Sequence, residues 1–299
     1  MTLALAMALD AIFGEPRWLW DRAPHPAVLM GRAIGWADQR FNQVPAQRVK
    51  GLLLVLALLA GSIAIGLVIS LLGWPFEALA AAILLAQKSL VQHVQAVADA
   101  LRLSASEGRR AVAMIVGRDT ATMEGPAIAR SAIESAAENL SDGVIAPIFW
   151  FAIAGLPGML AYKAINTADS MVGYLTPRHA AFGWAAARLD DVLNWVPARL
   201  TALLILATQS ALHAWAAVRA EAPQHRSPNA GWPESALARA LNIALSGPRA
   251  YEGEMRDFPF VNPRGLRNLG ATDIEAAITA LWRVWAAVFL AVLAIAIVV

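Results

Sequence analysis

The chain has 299 residues, 58% of them hydrophobic before its 20 glycines are counted, and only 15% charged. An ordinary soluble domain carries roughly 45–50% apolar residues with glycine included and about 25% charged ones, which excludes a disordered chain, a coiled coil and most soluble enzymes. A net charge of +2 gives no footprint for nucleic acid, and the lack of cysteine excludes disulfides, zinc–thiolate sites, iron–sulfur clusters and a cysteine nucleophile.

The remaining class is an integral membrane protein, and the uncharged stretches support it. Met1–Phe13 is apolar but for Asp10 and lacks the basic region of a signal peptide, so it reads as part of the mature protein. Leu52–Gly73 runs 22 residues without a charge, Gly143–Tyr162 gives 20, Leu200–Val218 gives 19 and Val284–Val299 gives 16. A span needs about 20 predominantly apolar residues. Ala78–Gln87, behind the turn Trp74-Pro75, is long enough for half a span or a hairpin partner. Trp74, Trp150, Trp195, Trp282 and Trp285 fall near the ends of these stretches, where an interfacial belt places them. Three arginine-rich segments, Gly14–Lys50, Lys88–Asp142 and Arg219–Arg283, belong on the cytoplasmic side by the positive-inside rule. Gly155-Leu156-Pro157-Gly158 breaks its window in the middle, as a re-entrant pair or half-helices lining a cavity would. No fixed-period repeat or low-complexity linker interrupts the chain, which reads as one all-α, polytopic membrane domain over residues 1–299.

Polar residues cluster where these stretches meet. In Val116-Gly117-Arg118-Asp119-Thr120 an apolar run ends in an Arg-Asp-Thr triplet, which is either a capped strand or helix end or a functional group. The next stretch reads as helix, with Arg130, Glu134 and Glu138 on one face at i, i+4, i+8. Glu138, Asn139, Ser141 and Asp142 then stand at the mouth of an apolar window, an oxygen-rich set that suits a hard cation such as Mg²⁺. Asn166, Asp169 and Ser170 share a helical face, and Arg188, Asp190, Asp191, Asn194 and Arg199 flank the next window. Charges this close to a membrane core mark function by default, the alternative being polar contacts between helices. Ser227–Glu234, with Pro and Gly around Asn229, reads as a shaped loop, and Ser246–Gly253 as turns. There is no Walker phosphate loop, Gly-x-Ser-x-Gly elbow or His-Glu-x-x-His, and the five histidines do not cluster.

Taken in order, these clusters resemble the adenosylcobinamide-phosphate synthases of cobalamin biosynthesis, the CobD/CbiB family. The matching pieces are Gly-Arg-Asp-Thr (117–120), Glu-x3-Glu-Asn-x-Ser-Asp-Gly (134–143), Asn-Thr-x-Asp-Ser-Met-x-Gly-Tyr (166–174) and Ala-Arg-Leu-Asp-Asp-Val-x-Asn-x-x-Pro-Ala-Arg-Leu-Thr (187–201). Ser-Pro-Asn-Ala-Gly (227–231), Gly-Pro-x-x-Tyr-x-Gly (247–253) and the opening Asp10-x2-Phe-Gly-Glu-Pro with His25-Pro26 and Gly31 complete the set. Glu15 departs from the pattern, which has Asp between Gly and Pro.

The resemblance implies an ATP- and Mg²⁺-dependent ligase that joins aminopropanol or its phosphate to the free propionate of adenosylcobyric acid. The active site would face the cytoplasm from the inner membrane, with other cobalamin-pathway enzymes as possible partners there. It implies catalytic roles for Glu134, Glu138, Asp169, Asp190 and Asp191, and metal binding by Glu138, Asp142, Asp169 and Asp190. ATP or substrate binding would fall to Arg118, Asp119, Thr120, Asn139, Asn166, Arg188, Arg199, Ser227, Asn229, Gly231 and Tyr251. Two rivals are a Mg²⁺-dependent prenyl- or phospho-alcohol transferase, whose paired Asp-x3-Asp repeats are missing because Asp169-x3 lands on Gly173, and a non-enzymatic corrinoid transporter or scaffold.

Overall fold

The computed structural model describes residues 1–251 and 254–298. In chain order the elements are α1 (Thr2–Phe13), α2 (Arg17–Trp20), α3 (Pro26–Phe41), α4 (Gln47–Leu71), α5 (Trp74–Leu84), α6 (Gln87–Leu103) and α7 (Ala105–Val112). Next come α8 (Gly125–Leu140), a π-helical turn at Ser141–Ile145, α9 (Ala146–Val172), α10 (Trp184–Leu193), α11 (Trp195–Thr208), α12 (Trp215–Glu221) and α13 (Gly231–Ala240). Short strands β1 (Leu245–Ser246), β2 (Arg249–Tyr251), β3 (Glu254–Arg256) and β4 (Phe260–Val261) precede α14 (Ala271–Val298). Among the described residues three helical stretches are long and apolar enough to cross a membrane, Gln47–Leu71, Gly125–Val172 and Ala271–Val298, and the bent pair α10–α11 can make a fourth. The fold is an all-α membrane protein. Contacts group the chain into two units that alternate along the sequence: Met1–Ala86, Val144–Trp195 and Ile295–Val299 form the first, Gln87–Gly143 and Val196–Ala294 the second.

In the first unit α9 is the hub, touched by α1, α3, α4, α5 and α10. Along α4 the buried positions are Gly51, Val55, Ser62 and Gly66, a narrow stripe of mostly small residues, while Leu53, Leu56, Ile65 and Val68 face outward. Lipid tails are as apolar as leucine, so helices in a bilayer gain by letting backbones approach through small residues. Gly66 shows this: a Cβ there would run into the backbone of Pro157. The break expected at 155–158 is present, with Ala154 and Gly155 outside helical geometry and Gly155 at φ 62. Pro157 cannot donate to the preceding turn and disfavours α geometry just before it, and glycine tolerates the left-handed step. The uncharged window is not the helix boundary, however: α9 continues through Lys163 and Asp169 to Val172. The loop between α9 and α10 is clamped to α3 by Asp38, which accepts from Arg178 at 2.5 Å and from Asn42 at 2.7 Å, with His179 at 3.4 Å. Burial opposes ionisation of Asp38, but the hydrogen bonds from Asn42 and Arg178 prevail and hold its carboxyl below the usual value.

In the second unit α8 is buried on nearly every side, by α6, α7, α13 and β1. β1 pairs antiparallel with β4 and β2 with β3. Glu221 ties this region together: Arg239 donates to both its oxygens, and the Asn262 backbone N–H donates to Oε1 at 3.2 Å. Two expectations fail here. Leu200–Val218 is not one span, because α11 stops at Thr208 and the chain turns through Ser210 at φ 57 before α12. Thr208 bonds back to the Leu204 carbonyl at 2.8 Å, and the consecutive polar residues Thr208-Gln209-Ser210 offer the backbone alternatives to helix. The run Gly231–Glu234, expected in a loop, is instead the first turn of α13, where Pro233 is tolerated because those N–H groups have no intrahelical acceptor.

Candidate functional site

Each unit gathers one polar constellation. In the first, Asn166 and Asp169 project from α9, and Asp190 and Asp191 from α10. Asp190 is buried and accepts from Asn166 Nδ2 at 3.2 Å on one oxygen and from Asn194 Nδ2 at 3.0 Å on the other. Tyr162, also buried, donates to Asn194 Oδ1 at 2.9 Å and fixes which way that amide points. Asp169 lies close enough to repel both Asp190 and Asp191. Arg188 is 71% exposed and reaches Asp191 only at 3.7 Å. The face expected from the i, i+3, i+4 spacing is therefore real, and α10 supplies its opposite wall.

In the second unit the helical ladder Arg130–Glu134–Glu138 does not form. Glu134 is 1% exposed and accepts from Arg118 Nη2 at 2.6 Å and from the Ser246 backbone N–H at 2.6 Å, with Arg249 Nη1 at 3.6 Å. It is an enclosed anchor for two arginines. Glu138 and Asn139, one turn on, are exposed, and Asn139 donates to its own helix at Ser135. Asp142 sits half-buried in the π-turn. Asp119 accepts from the Ala121 N–H at 3.1 Å, the local capping role that the triplet left open, and Thr120 is half-buried beside it.

The segment 225–234 closes the second constellation. The Ser227 hydroxyl accepts from the backbone N–H groups of Asn229 and Ala230, both at 3.2 Å. Buried Asn229 accepts from Arg199 at 3.4 Å, and the Arg199 guanidinium stacks 4.5 Å over the Trp232 ring. Gly231 has no room for a side chain, since a Cβ would meet the Ala222 carbonyl. The side chain of Tyr251 lies outside the described residues.

Three members of this neighbourhood had no signal in the sequence. His225, whose Nδ1 accepts from the Ser227 N–H at 3.1 Å, turns Nε2 toward buried Glu234 at 3.6 Å. Burial, reinforced by Arg249, pushes the His225 pKa down, while burial followed by the charges of Glu134 and Glu138 pushes Glu234 well up. Burial thus disfavours the charged form of both partners across this 3.6 Å contact. Arg249 occupies a variable position of the Gly-Pro-x-x-Tyr-x-Gly piece, so its approach to Glu134 could not be read from spacing.

Among the described residues no three His, Asp or Glu side chains form a ready-made metal cage. The four carboxylates expected at a metal divide between the units, Asp169 and Asp190 in the first and Glu138 and Asp142 in the second.

Sequence comparison with known proteins gives the family. The family described as CobD/Cbib protein matches residues 3–281. A Brucella anthropi protein named cobalamin biosynthesis protein CobD is 49% identical over 94% of this chain and 91% of its own length. Namesakes from Sinorhizobium fredii and Rhodobacter capsulatus are 46% and 42% identical, covering 95% and 87% of the chain and 92% and 86% of their own lengths. No solved structure matches. With the motif residues gathered as described and the family matched along nearly its whole length, the chain belongs to the CobD/CbiB family.

Proposed function

We propose that the protein is an ATP- and Mg²⁺-dependent amide-forming ligase of cobalamin biosynthesis, joining aminopropanol or aminopropanol phosphate to the free propionate of adenosylcobyric acid. The observation that carries this reading is the family match over residues 3–281, whose motif residues gather into the two polar constellations described above. The name borne by the relatives supplies the pathway. The residues supply a chemistry that fits it.

A carboxylate is a poor electrophile. Transfer of the γ-phosphoryl group of ATP to a propionate oxygen releases ADP and gives the carbon a leaving group. The amine nitrogen then attacks that carbon, the C–N bond forms, the bond to the phosphate oxygen breaks, and phosphate departs. One proton must leave the amine, to a nearby carboxylate. Such transfers rest mainly on positioning and on stabilising negative charge.

The first constellation fits a hard cation. Asp190 keeps lone pairs beyond its two amide contacts, Asp169 and Asp191 add negative charge beside it, and Mg²⁺ ordinarily takes only one or two carboxylates plus substrate phosphates. Asp169 and Asp190 would hold such an ion in this unit, and Glu138 with Asp142 are the corresponding pair in the other. The metal's contribution, when bound, is to neutralise phosphate charge. Exposed Arg188 can turn from Asp191 toward a phosphate, and Arg199 with Asn229 and Ser227 forms a second polar group for the nucleotide or the amine. Arg118, committed to Glu134, acts through the shape of the site. ATP and the corrinoid precursor are cytoplasmic, so the active face belongs on that side of the inner membrane.

The test is purified protein in detergent with adenosylcobyric acid, aminopropanol phosphate, ATP and Mg²⁺, products read by mass. Amide product and ADP in equal amounts are expected. Corrinoid binding without ATP turnover would overturn the ligase reading in favour of a transporter or scaffold.

A further inference from the structure

Helices α9 and α10 meet at two glycines, Gly173 at the end of α9 and Gly183 at the start of α10. Glycine at a helix end is ordinarily explained by a left-handed backbone. Here Gly173 sits at φ −73, ψ 2 and Gly183 at φ −78, ψ −8, and residues with side chains adopt both conformations. The reason for glycine at this corner is space.

The two positions lack space for different reasons. A Cβ at Gly183 would run into the Val172 carbonyl and lie 3.1 Å from the Gly173 nitrogen, so backbone alone is in the way. A Cβ at Gly173 would run into Asp169 Oδ1, with Asp169 Cγ at 2.8 Å and the Asp169 carbonyl oxygen at 2.7 Å. That carbonyl is held in place, since it accepts from the Gly173 N–H at 2.7 Å. The group free to give way is the carboxylate, which fills the volume that a side chain at 173 would take.

This carboxylate belongs to the first constellation. Asn166 stands seven residues before Gly173 and Asp190 seven residues after Gly183, and the two side chains meet at 3.2 Å. The glycine corner thus sets the register in which α9 and α10 face each other, with Asp169 one turn from the corner and near both Asp190 and Asp191. We propose that Gly173 is a positioning residue of this site, its missing side chain leaving the room in which the Asp169 carboxylate lies beside Asp190 and Asp191. A binding constellation tolerates displacements of about 0.5 Å, and relief of the overlap with even one methyl group needs a larger shift of Asp169 Oδ1 than that. Loss of metal affinity follows because the ligase reading gives Asp169 to a metal ion; the steric coupling between 173 and 169 does not rest on that reading.

The test is a double-variant cycle on the full-length protein in detergent, with Gly173→Ala and Asp169→Ala made singly and together. It is read by melting temperature and by uptake of Mn²⁺, followed through the EPR signal of the free ion. Gly173→Ala should lower the melting temperature, and at most about half of that drop should persist once the Asp169 side chain is removed. Gly183→Ala, obstructed by backbone alone, should cost the same in both backgrounds. Mn²⁺ affinity should fall tenfold or more in Gly173→Ala, and the double variant should bind no more weakly than Asp169→Ala. An equal melting drop from Gly173→Ala with and without the Asp169 side chain overturns the proposal, leaving Gly173 a structural glycine like Gly183. Mn²⁺ bound with equal affinity by native and Gly173→Ala protein overturns it as well. Coupled melting temperatures in a protein that takes up no Mn²⁺ keep Gly173 as the residue that positions Asp169 and remove the metal from this site.

Discussion

Replacing Glu134 by leucine tests whether the second constellation is organised around a buried anion. Leucine removes the acceptor at 2.6 Å from Arg118, the acceptor at 2.6 Å from the Ser246 N–H, and the charge 3.6 Å from Arg249. Breaking a buried ion pair from one side typically costs about 3–5 kcal/mol, because the remaining charge is left uncompensated. The orphaned backbone donor adds about 1–3 kcal/mol. Arg118→Met alone should cost less, since Glu134 keeps Ser246 and Arg249 as partners. In the double variant neither charge of the Arg118 pair survives, so the loss should fall short of the summed single losses by about 1–3 kcal/mol. For a chain of this size each kcal/mol moves the melting temperature by about 2 °C. Glu134→Leu should therefore melt at least about 6–10 °C below the native protein in the same detergent, and adding Arg118→Met should cost little more. Additivity of the two single losses within about 0.5 kcal/mol would refute the anchor and return Arg118 to the role of a phosphate ligand.

Asp190→Asn keeps an oxygen for the amides of Asn166 and Asn194 but removes the charge, and is expected to abolish turnover in the ligase assay while the protein still inserts and purifies; native turnover would sink the acidic site. Burial, then the charges of Glu134 and Glu138, raises the pKa of Glu234, so above the ordinary carboxylate range the folded state binds more protons than the unfolded one and stability drops with rising pH. The melting temperature of native protein, relative to Glu234→Gln, should thus decline from pH 5 to pH 8; parallel curves would show that Glu234 has no raised pKa. Gly66→Leu forces a side chain into the backbone of Pro157 and should destabilise by about 1–3 kcal/mol, read as a lower melting temperature, unless α4 and α9 are not in close approach. A cysteine at exposed Ser170, in a chain with none of its own, should label from the cytoplasmic side or be protected there by substrate, and labelling confined to the periplasm would reverse the proposed sidedness.

Local rules carried the sequence a long way. The break in α9 was legible because Gly155 and Pro157 act through their own backbones, and the shared face of Asn166 and Asp169 followed from helical spacing alone. Charge-free windows were a poorer guide to helix ends. α9 continues past Lys163 because tertiary partners, the amide of Asn166 meeting Asp190 among them, accommodate polar residues that a hydropathy window counts as a boundary. Conversely Leu200–Val218 contains no charge and still breaks, since Thr208 and Ser210 act by hydrogen bonding and backbone geometry rather than by charge. What spacing could not supply was the pairing across distant segments. Arg118 stands beside Asp119 in sequence and binds Glu134 in space, 16 residues on, and the Ser246 N–H reaches the same carboxylate across 112 residues.

The two constellations carry opposite charge, and this bears on why so apolar a chain keeps them. Asp169, Asp190 and Asp191 crowd on α9 and α10 with one exposed arginine near them, while Arg118, Arg130, Arg226, Arg249 and Arg267 gather about Glu134 and two phenylalanine rings. Holding charge in a low-dielectric interior costs stability unless it is met, and part of it is met here: Arg188 reaches Asp191 at 3.7 Å, and Glu134 engages Arg118 and Arg249. Joining a carboxylate to an amine at the expense of ATP calls for both kinds of group. A hard cation must be held by surplus carboxylates, and polyphosphate or phosphate-ester charge must be met by surplus guanidinium. On the ligase reading both groups stand ready to meet such ligands, and adding Mg²⁺ and ATP should raise the melting temperature of the native protein while leaving that of an Asp190→Asn variant nearly unmoved.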